Sequence, residues 1–169
     1  RGLGDVYKRQ DGARFDADTA YLGKNSQTID YNIVADHFGK KTESLITVNG
    51  ALTDSAKKVF RGTIDFKKGS ADSVGSENET VLMLGDDVVN KTVPLILCAE
   101  ENVEGTHGAT IGELDADTMF YFESRGIDRE TAERIMAYAA VERLIHMAED
   151  GGFAAVAEKA MEIKTDTEE

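Results

Sequence analysis

Lys58-Val59-Phe60-Arg61-Gly62-Thr63-Ile64-Asp65-Phe66, closed by Lys67-Lys68-Gly69, is the stretch whose reading decides the fold. β-Branched and aromatic residues fill it and a polar, glycine-containing turn ends it, which is the composition of a strand bounded by turn chemistry. The stretch before it is built alike: Thr42-Glu43-Ser44-Leu45-Ile46-Thr47-Val48 stops at Asn49-Gly50. After it, Thr80-Val81-Leu82-Met83-Leu84 stops at Gly85-Asp86-Asp87, and Thr92-Val93-Pro94-Leu95-Ile96-Leu97-Cys98 follows. Pro94 has no N–H to give a ladder, so it is expected at a strand start or on a sheet edge. Towards the N-terminus, Phe15, Ala17 and Thr19 alternate with polar residues before Gly23-Lys24-Asn25-Ser26, and Thr28 to Ala35 form a run ended by Asp36-His37-Phe38-Gly39-Lys40-Lys41.

Strands recurring every 8 to 20 residues or so, with no amphipathic helix between them, exclude a βαβ sheet and leave a sandwich, a barrel or a β-solenoid. No strict hexapeptide repeat is present, which argues against a left-handed hexapeptide helix. A right-handed parallel β-helix accommodates turns of variable length more readily.

After Leu114 the apolar period changes from two to 3.6. Asp115 or Asp117 can cap a helix through Met119, Phe120, Tyr121 and Phe122, and Gly126 is a natural left-handed stop. Asp128 caps a longer helix with Glu130 in its first turn, and Ala132, Ile135, Met136, Ala139, Ala140, Leu144, Ile145 and Ala148 form one apolar stripe. That helix is expected to stop at Gly151-Gly152, before a last short helix carrying Phe153, Val156, Ala157, Ala160 and Met161 and a frayed acidic tail from Thr165 to Glu169. By periodicity alone, the helical end folds back on the β body in preference to facing a partner. Residues 1–11 contain a basic segment without a starting Met in an acidic protein and are set apart as a truncated or non-native leader. The expected organisation is thus a β core over 12–114 and a helical region over 115–169.

The chain has 169 residues, 41% hydrophobic and 30% charged, with no apolar run long enough to span a bilayer, which describes a soluble globular domain with a real core. A net charge of −13 opposes binding to nucleic acid or to anionic membranes, because both need Lys and Arg to replace counterions. The window between Lys91 and Arg125 has no basic residue but holds Glu100, Glu101, Glu104, Glu113, Asp115, Asp117 and Glu123, and a solvated acidic face accounts for it. A single cysteine, Cys98, cannot form an internal disulfide, and with no secretory leader visible a reducing, cytoplasmic setting is expected. One thiol also cannot hold an iron–sulfur cluster or a structural zinc unaided, so any such site would be shared.

Chemistry concentrates in Glu100-Glu101-Asn102-Val103-Glu104-Gly105-Thr106-His107-Gly108-Ala109-Thr110-Ile111-Gly112. A histidine among small residues, which let a partner approach closely, is placed for metal ligation or proton transfer, or more simply for a local hydrogen bond on an exposed loop. His37 and His146 have no second ligand at metal spacing and read as structural or surface residues. There is no Gly-x-Ser-x-Gly elbow, phosphate-binding loop, dinucleotide fingerprint or His-Glu-x-x-His. The acid pairs Asp86-Asp87 and Glu100-Glu101 would suit a polysaccharide-acting β-helix enzyme, but they follow strands and are explained by turn polarity. Cys98, in an apolar run, reads as a buried small hydrophobe.

The order Phe60-Arg61-Gly62-Thr63-Ile64, Thr80 to Leu84, Pro94-Leu95, Val103 to Asp115 and Met119-Phe120-Tyr121-Phe122-Glu123-Ser124-Arg125-Gly126-Ile127 resembles the C-terminal part of the SufB/SufD iron–sulfur cluster assembly scaffold family. The resemblance runs from about Gly12 to Met161, and its most specific part is the His-Gly-Ala-Thr turn joined to Phe-Tyr-x-x-Ser-Arg-Gly. It implies a right-handed parallel β-helix followed by a small helical domain. It further implies a non-catalytic scaffold in a heteromeric complex, pairing through the β-helix with a SufB-like subunit. The C-terminal helices would bind a SufC-like ABC-type ATPase, which would supply ATP hydrolysis. Met119, Phe120, Phe122, Arg125, Ile135 and Met136 become the implied partner-binding residues, so the resemblance reverses the fold-back reading of that apolar face. Gly108 after the histidine is the SufD-like form, where SufB-like turns carry glutamate, and the position of the SufB assembly cysteine falls near Glu79, which has no thiol. His107 is implied as a shared metal ligand for a transient iron–sulfur cluster at the SufB interface. Many SufD-like turns place a cysteine where Gly105 stands here, so the implied donor is the imidazole alone. The alternatives are a stand-alone β-helix enzyme acting on polysaccharide and a self-pairing scaffold, the latter expected as a homodimer when SufB is absent.

Overall fold

The structure is a computed structural model that describes residues 2–147. The predicted Gly151-Gly152 stop, the last short helix and the acidic tail lie outside the described residues. Eight strands come first: β1 (Gly2–Lys8), β2 (Arg14–Gly23), β3 (Thr28–His37), β4 (Glu43–Thr53), β5 (Lys57–Phe66), β6 (Ser73–Leu84), β7 (Val89–Cys98) and β8 (Val103–Glu113). Two helices follow, α1 (Ala116–Ser124) and α2 (Arg129–Met147).

Successive strands alternate between two parallel four-stranded sheets, ordered β1-β3-β5-β7 and β2-β4-β6-β8. Registers such as Thr28↔Lys57, Glu43↔Val74 and Ser73↔Val103 give a coil of about 30 residues, and the chain is a β-solenoid of stacked coils. The corners repeat with the coils. Asn25, Lys41, Asp54 and Asp72 each adopt a left-handed conformation with φ between 54° and 61°, a geometry that Asn and Asp tolerate better than most residues. Neighbouring corners are tied by Lys41 N–H to Ala71 O at 2.9 Å, Asp72 N–H to Asn102 O at 2.7 Å and Asn25 N–H to Asp54 Oδ2 at 2.7 Å.

One sequence reading is corrected by this arrangement. Asn49-Gly50 is not a turn but lies inside β4, and Gly50 is needed because a Cβ there would sit 2.5 Å from the Tyr21 ring. The segment set apart at the N-terminus supplies β1, which pairs with β3 from Gly2↔Tyr31 to Lys8↔His37. Pro94, by contrast, stands on an edge strand as expected, since β7 ends its sheet.

Inward-facing residues stack into columns whose apolar members, Ile46, Val48, Phe60, Ile64, Phe66 and Val81, are buried. Polar residues join them inside, among them His37, Lys58, Glu77 and Glu79. His37 lies between two hydroxyls, with Nδ1 2.7 Å from Thr42 Oγ1 and Nε2 2.8 Å from Ser44 Oγ, and its ring packs 4.6 Å from that of Phe66. Burial, reinforced by nearby Lys8, pushes its pKa down to about 4. A histidine whose folded pKa is depressed contributes stability that is complete above its unfolded value, near 6.5, and is lost as pH falls towards 4. Denaturant unfolding of the wild type and of His37→Gln should therefore show a stability difference that shrinks by on the order of 3 kcal/mol between pH 7 and pH 4. Comparison of the two chains isolates this effect from Glu77, whose raised carboxyl pKa acts in the opposite sense.

The helices begin where the strands end. Asp115 caps α1 by accepting from Thr118 N–H at 2.8 Å, Gly126 (φ 77°) follows its last turn, and Asp128 caps α2 by accepting from Thr131 N–H at 2.7 Å. α2 packs back on β2, β4 and β6, burying Ala137 with Ala51 and Leu84, against which Leu22, Leu82, Leu114 and Ala140 also pack.

Candidate functional site

His107 lies on β8 with its side chain on the inner column, directly in register with Glu77 of β6. Nδ1 is 3.2 Å from Glu77 Oε1; the histidine side chain is 24% exposed and that of the glutamate only 2%. The contrast follows from position. β8 and β7 are the last strands of their sheets, so their inward residues have a rung beneath them and none above among the described residues. Burial raises the Glu77 carboxyl above the usual carboxylate range, and His107 counteracts that rise.

Beside this pair the solenoid encloses an ion pair. Lys58 Nζ donates to Glu79 Oε1 and, at 3.2 Å, to Thr92 Oγ1, while Thr92 donates to Glu79 Oε2. Burial pushes the Lys58 ammonium below the usual lysine range, with Glu79 acting against the fall. The sequence reading missed these interior charges. The available signal was phase: Lys58 shares its strand face with Phe60, Ile64 and Phe66, and Glu77 and Glu79 share theirs with Gly75 and Val81. Starting the sixth strand at Thr80 instead of Ser73 concealed the second series.

Other sequence candidates fall into place around the open end. Cys98 is exposed, not buried: it pairs with Phe66 on the inner face of the edge strand, which has no covering rung among the described residues. Gly105 is packed so closely that a Cβ would come 2.7 Å from Ile96 Cγ2 and 3.2 Å from Phe66 Cε2, so a thiol-bearing side chain there would require Ile96 to move. Gly108 faces outward, where a Cβ would meet Asn78 Oδ1 at 3.1 Å. Glu100 belongs to a corner, accepting from Gly69 N–H at 2.9 Å. The outward face of β7 leaves Val93, Leu95 and Leu97 exposed.

Among the implied partner-binding residues, Phe120, Arg125 and Ile135 are exposed, Phe122 and Met136 are half-buried, and Met119 is buried. Arg125 lies over the ring of exposed Tyr121 at 4.9 Å. Met119 therefore acts inside the chain, while the opposite side of α1 is the open one. A cleft of about 440 Å³ lies further along β8, lined by Met83, Asp86, Glu113, Arg129 and Glu133 among others, and does not include His107.

No group of three or more His, Cys, Asp or Glu able to hold a metal is assembled among the described residues. The chain belongs to the SufBD family: the model for "SUF system FeS cluster assembly, SufBD core domain" matches residues 4–140. It is SufD-like, being 33% identical to the iron–sulfur cluster assembly protein SufD of Bacillus subtilis over 76% of this chain and 29% of that protein. It is 29% identical to SufD of Escherichia coli over 60% of this chain and 24% of that protein. The chloroplastic SufBD family protein ABCI8 of Arabidopsis thaliana is 27% identical over 66% of this chain and 20% of its own length. The chain thus spans less than a third of each of these relatives.

Proposed function

We propose that this chain is a SufD-type scaffold component, non-catalytic itself, that helps to hold a transient iron–sulfur cluster in the cytoplasm. The observation that supports this reading is the placement of His107 on the inner column of the last rung, beside β7 and β8, which end their sheets among the described residues. A SufB-like subunit joins that end by adding strands to β7 and β8, with Val93, Leu95 and Leu97 covered on the same edge. His107 contributes one imidazole ligand, and the partner supplies thiolate and carboxylate ligands. Imidazole suits iron, and mixed His and Cys ligation is an established form of iron–sulfur centre. The exposed side of α1, with Phe120 and Arg125, and Ile135 on α2 dock a SufC-like ATPase, which performs the ATP hydrolysis.

Co-purification with SufB-like and SufC-like proteins, followed by cluster reconstitution, tests this reading. His107→Ala should leave folding and SufC-like binding intact while lowering cluster yield by roughly ten-fold or more, the scale expected when a metal site loses ligand support. Undiminished yield removes His107 from the site. Assembly of the chain only with itself favours the self-pairing scaffold.

A further inference from the structure

The Glu77 carboxylate is the interior group with the least evident purpose in the solenoid. It occupies the inner column of β6 at 2% exposure, where burial of a charge is costly unless a partner compensates it. Lys58, the lysine that acts electrostatically on Glu77, is itself hydrogen-bonded to Glu79 and Thr92. Glu77 Oε1 makes no well-aligned hydrogen bond, and the polar atom facing it at 3.2 Å is His107 Nδ1. Space for this carboxylate is provided from the other sheet. Gly62 of β5 faces it so closely that a Cβ there would stand 1.8 Å from Oε2 and 2.3 Å from the carboxyl carbon. Any residue larger than glycine at 62 would drive the carboxylate out of its place beneath the imidazole.

We infer that Glu77 is the positioning residue for His107: its carboxylate accepts the Nδ1 proton, fixes the ring, and leaves the Nε2 lone pair at the open end as the donor to a metal cargo. Histidine ligands commonly give their second N–H to a carboxylate, which sets the tautomer and strengthens the donor nitrogen. This inference rests on the proposed ligand role of His107, and two separate readouts keep the two ideas apart.

The first readout is the tautomer of His107 in the whole chain, labelled with ¹⁵N-histidine and read by long-range ¹H–¹⁵N correlation at a mildly alkaline pH. The wild type should carry the proton on Nδ1, Glu77→Leu should move it to Nε2, and Glu77→Gln, which keeps an acceptor oxygen, should restore the wild-type form in large part. Leucine removes a buried charge without opening the interior, and circular dichroism verifies that the variant folds. The second readout is cluster yield on the complex reconstituted with a SufB-like partner, which should fall roughly ten-fold or more in Glu77→Leu. A wild-type tautomer unchanged in Glu77→Leu, with His107→Ala still impaired, overturns the Glu77 assignment alone. A shifted tautomer with cluster yield unaffected in both Glu77→Leu and His107→Ala overturns the ligand reading on which the inference rests.

Discussion

Lys58→Met is expected to destabilise the chain by about 3–5 kcal/mol, the range for removing one partner of a buried ion pair. Both side chains of the Lys58–Glu79 pair are fully buried, and Thr92 completes a small closed network with them. Without the ammonium, Glu79 retains a buried carboxylate that accepts from the Thr92 hydroxyl. The double variant Lys58→Met, Glu79→Leu should recover most of the loss, because an apolar pair of similar volume removes both desolvation costs together. Urea unfolding of the two single variants and the double variant measures this directly as a coupling energy. A cost below about 1 kcal/mol for Lys58→Met would place the pair among solvent-exposed ion pairs and contradict its burial.

The second large effect is expected at Phe66, where Phe66→Ala should cost about 3–5 kcal/mol. This ring is buried and packs on His37, and it also fills space left by glycines in the facing sheet. A Cβ on Gly75 would lie 3.1 Å from Phe66 Cζ, and one on Gly105 would lie 3.2 Å from Cε2. Truncation thus leaves a cavity beneath the terminal rung that the glycines cannot fill. Phe66→Leu should cost less than about 1.5 kcal/mol if the surroundings repack. Hydrogen exchange should become faster in β7 and β8 than in β3 and β4 in the alanine variant. Equal costs for alanine and leucine would show that the ring does not fill that space.

Much of the strand order was legible because β-branched runs ended by Gly, Asn and Asp report local backbone preference. Lys58–Phe66 with its Lys67-Lys68-Gly69 turn is the clearest case. Where prediction and structure part, the deciding interaction lies about one coil away in sequence. Asn49-Gly50 has the composition of a turn, yet Tyr21 on the neighbouring strand needs the bare glycine and the chain runs straight through. Cys98 belongs to an apolar run and is exposed all the same, because burial depends on a covering rung and not on its neighbours in sequence. Met119 sits in the aromatic run of α1 beside residues suited to a partner, but it faces inward while Phe120 faces out.

His107 could be singled out from sequence because its small neighbours and the family motif both surround it locally. Glu77 could not, since thirty positions of chain separate the two and only the β6–β8 register joins them. Most of the strands, the change to helices after Leu114, the capping aspartates and the SufB/SufD resemblance are consequences of short-range backbone chemistry and pattern. Tertiary structure alone decided which charges lie inside, which glycines are obligatory and which histidine meets which carboxylate. The physical reason is that a solenoid pairs each residue with one a full coil distant, so burial and hydrogen-bond partners are set by stacking between coils.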